Sequence, residues 1–397
     1  MNLVLDFDGR RFQGARPFAV FESNRGAWNW SADSDFPFQN GEGDVLGEIR
    51  CALCWARDKG STRGAAIGYF SYDFTRILEP RAFGAVSPRD DLQIPDARLV
   101  FFEELEISPV PTARRQSQFA PVVDNGIAPC EYSQAISKIQ NYISAGDIYQ
   151  ANFSNRFSSP LPCSPAELYS RLKNNHPAPF SALLEWEDFS IVSNSPERFL
   201  KLENNVLISQ PIKGTARRGS TPSEDEAIKI ALKNSPKNRA ENVMIVDLIR
   251  NDFGRVCEYG SIHVPQLFEI QTLPSLHHLV STVKGILPSG RDGLDAFAAA
   301  FPCGSITGAP KIRAMQIIDE IETTRRGASF GAIGYFKFDG DMEWNVAIRT
   351  ITCKNGMAHF HAGGGIVEGS EAQDEYSEMQ LKAAAIRAAL AQTKPEI

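Results

Sequence analysis

A lysine stands in a strand-like run where its amine could do chemistry. The stretch SQPIKGTARRG covers 209–219, and Lys213 is followed directly by Gly214. An upstream segment, FSIVSNSPERFLKL, precedes a Glu-Asn-Asn turn at 203–205, so the two segments predict a β-hairpin. A turn at this position places Glu197 opposite Lys213 or one step away, within cross-strand reach.

Two interpretations of the Glu197–Lys213 pair remain open at this point. A surface pair of this kind would be a cross-strand salt bridge that contributes a few tenths of a kcal/mol. A buried pair could instead provide a neutral amine as a nucleophile and a carboxylic acid as a proton donor. The rest of the chain has to distinguish them.

A second set of carboxylates lies on two predicted helices. Glu241 belongs to ENVMIVDLIRND, and the last helix carries Glu375, Glu378 and Lys382 at a spacing that puts them on one face. Carboxylate oxygens without a His or Cys cluster suit Mg²⁺, which commonly shares an anionic ligand with the protein. The alternative is that these acids form a solvated helix face.

Two glycine-containing loops could bring backbone N–H groups close to an anion. Gly363, Gly364 and Gly365 precede the last helix, and bare backbone there could approach a ligand closely. The segment GSITGAPK, 304–311, opens a helix near Pro310, and helix N-termini favour carboxylates or phosphates.

The elements that must position these groups do not follow a regular βαβ pattern, which argues against a doubly wound parallel sheet. Helices are predicted near 44–57, 131–145, 223–233, 236–250, from 310 onward and 372–392. Strands are predicted at 188–202, 205–214, 255–264, 278–285, 330–338, 345–353 and 357–362. Residues 107–130 are polar and contain proline, as in a surface connection.

Composition excludes several classes of function. A net charge of −7 disfavours general binding to nucleic acid or to an anionic membrane, so neither is expected as a partner. The start of the chain lacks the apolar core of a signal peptide, and no window of eighteen apolar residues occurs. Seven scattered cysteines indicate a reducing compartment, and the cytoplasm is the predicted location.

Seven ordered motifs carry a resemblance to a known family. They are SPERF, PIKGT, RAENVMIVDLIRND, GSITGAPK, AIRT, AGGGIV and EYSEMQLKA. This order resembles the chorismate-utilising enzymes, which include anthranilate synthase, aminodeoxychorismate synthase and isochorismate synthase. The resemblance is strong over about 130–390 and weaker over 1–106. It implies an α+β fold in which two large antiparallel β-sheets pack as a sandwich with helices outside.

The resemblance also implies roles for individual residues. Mg²⁺ would be held by Glu241, Glu375 and Glu378 against the ring carboxylate of chorismate. Arg349 and Tyr335 would hold the enolpyruvyl carboxylate, together with backbone donors from Gly363 to Gly365. The remaining residues that match substrate-binding positions are His278, Thr307 and Lys382. A strand-end histidine and a helix-capping threonine are the alternatives for His278 and Thr307.

Within the family, the lysine of PIKGT is similar to the aminodeoxychorismate synthase branch, whereas anthranilate synthases resemble this chain but carry alanine there. In the hydroxylating branch a water-activating lysine matches Gln150, and glutamine cannot act as that base. The implied reaction is attack of Lys213 on chorismate while Glu197 protonates the leaving hydroxyl, followed by ammonia addition. The product would be 4-amino-4-deoxychorismate, on the path to 4-aminobenzoate and folate.

Partners and domains follow from the same resemblance. No signature of a glutamine amidotransferase is present, so ammonia is expected from a separate amidotransferase subunit, component II, or from solution. Residues 1–125 are expected to form a β-rich region packed into the same body as a catalytic region, 126–397. The alternatives are an anthranilate synthase component I and an inert chorismate-binding regulatory subunit.

Overall fold

A computed structural model describes residues 1–60, 62–84, 87–111, 126–274 and 276–391. Strands β1 to β19 span Asn2–Phe7, Arg10–Asn24, Ala27–Ala32, Gly41–Glu42, Ala65–Phe70, Ala97–Pro109, Gln150–Pro160, Phe180–Glu185, Ser190–Ser195, Arg198–Glu203, Val206–Gln210, Ile212–Arg217, His263–Thr272, Leu276–Ile286, Gly308–Ala309, Ala332–Lys337, Met342–Val346, Thr350–Lys354 and Met357–Ile366. Helices α1 to α9 span Val45–Asp58, Thr75–Leu78, Pro129–Ser144, Pro165–Asn175, Pro222–Asn234, Pro236–Gly254, Gly293–Ala300, Lys311–Ile321 and Ala372–Leu390.

The named strands pair antiparallel and form two layers. The first layer runs in the order β13, β14, β11, β10, β17, β16, β5, β6, β2, with β12 beside β14 and the short β3 and β4 beyond β2. The second runs β1, β8, β9, β18, β19, β7, β15. Strand β1 also pairs with β2, so hydrogen bonding continues from one layer into the other.

Three hydrophobic cores explain why the layers stay together. A core between the layers contains Phe7, Ile67, Tyr69, Leu184 and Ile191. A second core packs α1, α6 and α7 on the outside of the first layer, and a third packs α3, α4, α8 and α9 on the second. This helix–sheet–sheet–helix arrangement confirms the predicted fold class.

The amino-terminal region contributes strands to both layers. Strand β1 pairs with β8, and β5 pairs with β16, so these early strands belong to the same body as the later ones. The boundary predicted at 125 and most of the predicted connection lie within 112–125, outside the described residues.

Several predicted strands are divided in the structure. The predictions 188–202, 205–214 and 345–353 each correspond to two strands. Pro196 and Pro211 fall at two of these breaks, and proline offers no N–H to a ladder. At the third break Arg349 has a φ of 50°. The strand predicted at 255–264 was wrong, because α6 continues to Gly254 and β13 begins only at His263. Helices α2, α4 and α7 were not predicted.

Among the described residues, no helix has the length and apolar character needed to cross a membrane. The cytoplasmic location stays a prediction.

Candidate active site

Glu197 lies in the break between β9 and β10 and is buried, with only 3% of its surface exposed. Burial raises the pKa of its carboxyl to about 7, although Ser305, the nearby charge of Lys213 and the backbone N–H of Ile212 all favour the charged form. Its Oε1 atom has no hydrogen-bond partner among the described residues. A buried carboxyl with an open oxygen is a suitable proton donor near neutral pH.

Lys213 lies close to Glu197, but not as its cross-strand partner. The hairpin register shifts between Arg198 and Lys201, and Pro211 ends β11. Lys213 therefore belongs to β12, which pairs with β14. Within the described residues no ion pair of 4.0 Å or less joins Lys213 to Glu197, so the geometry does not support a simple salt bridge.

Electrostatics favour a neutral Lys213 amine. Part of the side chain is open to solvent, but protein atoms surround the amine, and this burial lowers its pKa. The charge of Lys382 also lowers the pKa, while Glu241 and Glu197 act in the opposite direction. Burial thus lowers the lysine pKa and raises the glutamate pKa, and both shifts favour the pair in which neither group is charged.

Gly214 allows the lysine strand to approach α6. Its φ is +91°, a left-handed value that glycine adopts without strain. A Cβ at this position would lie 2.9 Å from Cγ of Asn238, a residue on α6 one turn before Glu241. Steric crowding against α6 therefore explains why glycine follows the lysine in PIKGT. The close approach keeps Lys213 near the acidic residues of α6.

The glycine strand and the last helix meet, and the three α9 side chains share one face as their spacing predicted. A Cβ at Gly364 would lie 3.2 Å from Oε2 of Glu375, 3.6 Å from Nζ of Lys382 and 3.9 Å from Oε1 of Glu378. Lys382 Nζ donates a hydrogen bond to the Gly363 carbonyl at 3.0 Å and forms an ion pair with Glu378 at 2.7 Å. Only a residue without a side chain leaves this space open.

The two acids of α9 differ in environment. Glu375 is buried and accepts a hydrogen bond from Ser370 at 2.7 Å, and burial together with the charge of Glu378 raises its pKa. Glu378 is half-exposed; burial would raise its pKa, but the charges of Lys382, Lys237 and Lys213 lower it overall. Lys237 was not predicted for the site, yet its Nζ lies 4.0 Å from Glu375. Lys237 lies one helical turn before Glu241, and this spacing could have identified it as a site residue from the sequence.

The donor set has the right chemistry for Mg²⁺ but does not form a complete cage. Across the described ranges, no group of three or more His, Cys, Asp or Glu side chains is arranged to hold a metal ion. Hard carboxylate oxygens on two helices fit an ion whose remaining ligands come from an anion and water.

Arg349 and His278 lie within electrostatic reach of each other. The Arg349 guanidinium has no hydrogen-bond or ion-pair partner among the described residues, and burial lowers its pKa. His278 receives or donates a hydrogen bond at Nδ1 with Thr215 Oγ1 at 2.8 Å, while its buried Nε2 has no partner. Burial, with the charge of Arg349, lowers the His278 pKa to about 4, so this imidazole is neutral. An unpaired guanidinium beside it could bind a carboxylate.

Thr307 belongs to a buried turn that also brings Ser305 to Glu197. The Thr307 hydroxyl lies 3.2 Å from the carbonyls of Cys303 and Gly304, so it closes its own turn rather than capping α8. Ser305 and Cys303 were missed at the sequence level, although both lie in or beside the GSITGAPK motif. Their proximity to Glu197 depends on how this turn packs.

Tyr335 lies in the core between the two layers, and its expected role stays a prediction. Its ring packs in the core between the layers, 5.0 Å from the Phe12 ring, and the charges around it are Glu343, Asp341 and Glu203. Tyr335 lies toward the far end of β16, whereas the other end of β16 pairs with Val346, three residues before Arg349. This position does not favour a carboxylate contact shared with Arg349, which stays a prediction.

Gln150 lies next to the glycine strand of the candidate site. Its side chain is fully buried, and neither its oxygen nor its nitrogen has a partner among the described residues. A Cβ on Gly365 would lie 2.6 Å from Gln150 Nε2. An amide in this position can donate and accept hydrogen bonds but cannot take a proton from water.

Comparisons with known proteins agree with this architecture. The chain is 41% identical over 339 residues to aminodeoxychorismate synthase component 1 of Klebsiella aerogenes, covering 79% of this chain and 74% of the relative. It is 42% identical over 264 residues to anthranilate synthase component 1 of Geobacillus stearothermophilus, covering 66% and 52%. Anthranilate synthase component I from Streptococcus pneumoniae TIGR4 superimposes with a TM-score of 0.81 at 27% identity, covering 95% of this chain and 92% of that one.

A family model described as chorismate binding enzyme matches residues 8–388, nearly the whole chain. Together with the 41% identical relative, this match confirms the resemblance found in the seven motifs. The chain belongs to the family of chorismate binding enzymes.

Proposed function

We propose that this chain is an aminodeoxychorismate synthase component I, which converts chorismate and ammonia to 4-amino-4-deoxychorismate. The observation that carries the proposal is the amine of Lys213 beside the buried, protonatable carboxyl of Glu197. The anthranilate branch resembles this chain but has alanine at the lysine position, so the identity of residue 213 favours the para-amino product.

The reaction proceeds in two allylic displacements. Neutral Lys213 forms a bond to C2 of the ring, the ring double bond shifts, and the C4–O bond breaks. Glu197 gives its proton to the departing hydroxyl, which leaves as water. Ammonia then bonds to C4, the C2–N bond breaks, and the surplus proton of the ammonium adduct returns to Glu197. The balance is chorismate plus ammonia to aminodeoxychorismate plus water, with both residues regenerated.

The other site residues bind and orient the substrate. Arg349, whose charge is unpaired in the described part of the chain, binds the enolpyruvyl carboxylate, and the neutral His278 donates or accepts at the ring. Gly364 leaves room for the substrate, whereas Gly363 and Gly365 pack against β7 and Gln150, and Lys382 places a positive charge at the edge of this space. With Tyr335 elsewhere, Arg349 acts on that carboxylate without it.

We also propose that Glu241, Glu375 and Glu378 hold Mg²⁺. The ion would neutralise the ring carboxylate of chorismate and the crowded acids that face it. Support comes from the pKa of Glu375, which burial raises first and the neighbouring charge of Glu378 raises further, since a bound cation would stabilise both carboxylates. The Lys382 amine already places one positive charge in this cluster through its ion pair with Glu378.

Replacing Glu378 by glutamine tests the metal proposal. We expect turnover to fall below about 1% of wild type, because the neutral amide is a weak ligand for a hard cation. The matched control is Asp374→Asn, an exposed acid one turn earlier on α9, which should keep activity. Full activity of Glu378→Gln, or of wild type in excess EDTA, would contradict Mg²⁺ dependence.

The product formed by the chain alone tests the proposed reaction. Purified chain is incubated with chorismate, Mg²⁺ and ammonium salt, and the products are separated and identified by mass spectrometry. We expect 4-amino-4-deoxychorismate without release of pyruvate. Anthranilate together with pyruvate would identify the anthranilate branch, which the 42% identical relative keeps as the second candidate. No conversion of chorismate would favour an inert subunit.

A separate amidotransferase subunit is proposed as the source of ammonia in the presence of glutamine. The same assay with glutamine in place of ammonium should give no product until such a subunit is added. Glutamine hydrolysis by the isolated chain would contradict this division of labour.

A further inference from the structure

A second buried acid–base pair lies behind the candidate site and takes no part in the proposed chemistry. Arg326 and Glu322 are 3% and 7% exposed. The Arg326 guanidinium donates to both Glu322 carboxylate oxygens, at 2.9 and 2.8 Å. The guanidinium also lies over the rings of Tyr72 and Phe330, at 4.4 and 4.7 Å. Burying two charges is costly, so a pair in this place requires a reason beyond packing.

The remaining donors of Arg326 connect two segments of the site. One nitrogen donates to the carbonyl of Ile306 at 2.9 Å, inside the turn 303–307. Another donates to the carbonyl of Asn152 on β7 at 2.6 Å. Asn152 in turn donates its backbone N–H to the Thr307 carbonyl at 2.7 Å. One guanidinium thus fixes the distance between the turn and the strand.

Glu322 holds the same strand two residues further along. Its Oε1 accepts hydrogen bonds from the backbone N–H and the hydroxyl of Ser154, at 2.9 and 2.8 Å. On β7, Ser154 is the partner of Gly363, and Asn152 is the partner of Gly365. The pair therefore supports the strand on which the three site glycines rest.

The turn that Arg326 holds also carries Ser305, whose side chain reaches Glu197. Ile306 follows Ser305 directly, and Ser305 stabilises the charged form of Glu197. The groups that face Glu197 are Lys213 and the Ile212 N–H from β12, and Ser305 and Cys303 from the turn. A small movement of the turn changes the environment of the proposed acid.

We propose that Arg326 is a positioning residue for the proposed reaction: it fixes the 303–307 turn against β7, so that Ser305 reaches Glu197 and the glycine strand keeps its place. This inference rests on the proposed function only for its kinetic readout. This role requires the planar guanidinium of Arg326. A lysine amine cannot bind both oxygens of a carboxylate and two carbonyls at the same time.

A matched pair elsewhere in the chain provides the control. Arg171 and Glu167 have the same spacing of four residues, and Arg171 is also buried and also donates to two carbonyls, those of Ala389 and Ala391. These contacts lie at the end of α9, away from Glu197. Arg171→Lys should therefore lower stability as Arg326→Lys does, without changing catalysis.

The experiment compares Arg326→Lys, Arg171→Lys and wild type in kcat, in the pH dependence of kcat/KM and in Tm. For Arg326→Lys we expect kcat to fall about tenfold or more, since a misplacement of about 1 Å is costly. Because Ser305 then stabilises the Glu197 carboxylate less, the alkaline limb should move to higher pH. Ser305→Ala should produce the same movement, and the double variant should show no further movement.

Two outcomes would overturn the inference. One is a lowered Tm in Arg326→Lys with the kcat and the alkaline limb of wild type. The other is a shift of the alkaline limb in the double variant that equals the sum of the shifts in Arg326→Lys and Ser305→Ala. If Arg326→Lys does not fold, Ser154→Ala removes one contact to Glu322 and should move the limb in the same direction by less. An unchanged limb in Ser154→Ala would then count against the inference.

A titration without substrate separates this inference from the proposed function. Carbon-13 NMR of labelled glutamate, assigned with Glu197→Gln, reports the pKa of Glu197 in wild type, Arg326→Lys and Arg171→Lys. We expect a higher pKa only in Arg326→Lys. A chain that makes no aminodeoxychorismate but shows this difference would refute the proposed reaction and keep the positioning role. A pKa that does not change would refute the positioning role alone.

Discussion

Two buried glutamates in this chain have nearly the same exposure and opposite surroundings. Glu197 is 3% exposed, has an oxygen without a partner, and faces the amine of Lys213 without an ion pair of 4.0 Å or less in the described structure. Glu322 is 7% exposed and accepts hydrogen bonds from a guanidinium, a backbone N–H and a hydroxyl. Burial alone therefore does not distinguish a reactive carboxyl from a structural one.

The difference lies in how completely each carboxylate is compensated. Both oxygens of Glu322 accept hydrogen bonds, and its charge is paired with that of Arg326. Around Glu197 the compensation is partial, so burial dominates and raises the pKa into the range where proton transfer is possible. The partly compensated carboxyl of Glu197 is the reactive one, and the fully hydrogen-bonded Arg326–Glu322 pair fixes the geometry.

The largest effect that would test this comparison is on stability. Glu322→Gln leaves the buried charge of Arg326 without its counter-ion, and we expect the free energy of unfolding to fall by about 3–5 kcal/mol. Glu197→Gln replaces a carboxyl whose pKa is raised to about 7, so that much of it is already neutral at pH 7, and it leaves no buried charge unpaired; the change should stay below about 1 kcal/mol. Denaturant unfolding of both variants measures this. Equal losses would show that both glutamates are structural.

Removal of the Lys213 amine should have the next largest effect, on activity. Lys213→Ala is expected to lower aminodeoxychorismate formation by about a hundredfold or more, as for loss of a covalent catalyst. Lys213→Arg should not restore it, because guanidinium stays protonated and cannot attack. The assay is product formation from chorismate, Mg²⁺ and ammonium.

Mass spectrometry provides a direct check on the same lysine. Wild type incubated with chorismate and Mg²⁺ but no ammonia should carry an adduct on the peptide that contains Lys213, and Glu197→Gln should carry none. Near-normal synthesis by Lys213→Ala would reduce this lysine to a bystander beside Glu197.

A smaller effect is expected from a methyl group on the glycine strand. In Gly364→Ala the new Cβ meets the Glu375 and Lys382 side chains at 3.2 and 3.6 Å, so we expect KM for chorismate to rise about tenfold with Tm nearly unchanged. Gly363→Ala is a contrasting control that should disturb folding and not only substrate binding. Its Cβ would lie 2.0 Å from the Phe153 carbonyl oxygen. Unchanged KM in a folded Gly364→Ala variant would place the substrate elsewhere.

The mildest test uses pH. The proposed acid must be protonated, so kcat/KM should fall as pH rises above about 7, the pKa to which burial raises Glu197. The proposed nucleophile must be neutral, so the rate should also fall on the acid side, where the Lys213 amine takes up a proton. Rates measured from pH 5.5 to 9 give the two limbs, which belong to the coupled pair. A flat profile over this range would contradict the assignment.

Local sequence patterns determined much of the outline. The six predicted helices are present, and Glu375, Glu378 and Lys382 share one face of α9 as their spacing predicted. Helical spacing and proline or glycine at helix ends act over a few residues, so a single sequence reveals them. The seven ordered motifs identified the family without any structure.

Only the tertiary structure decided which groups meet across the chain. The hairpin rule placed Lys213 opposite Glu197, yet Pro211 moved the lysine to β12, and the two groups come together through packing instead. Tyr335 matched an expected position and lies in another core. Ser305 and Arg326 gave no signal of their own, because their contacts join residues far apart in sequence. Burial and counter-charge, which set the pKa of Glu197, are properties of the assembled layers and of no local segment.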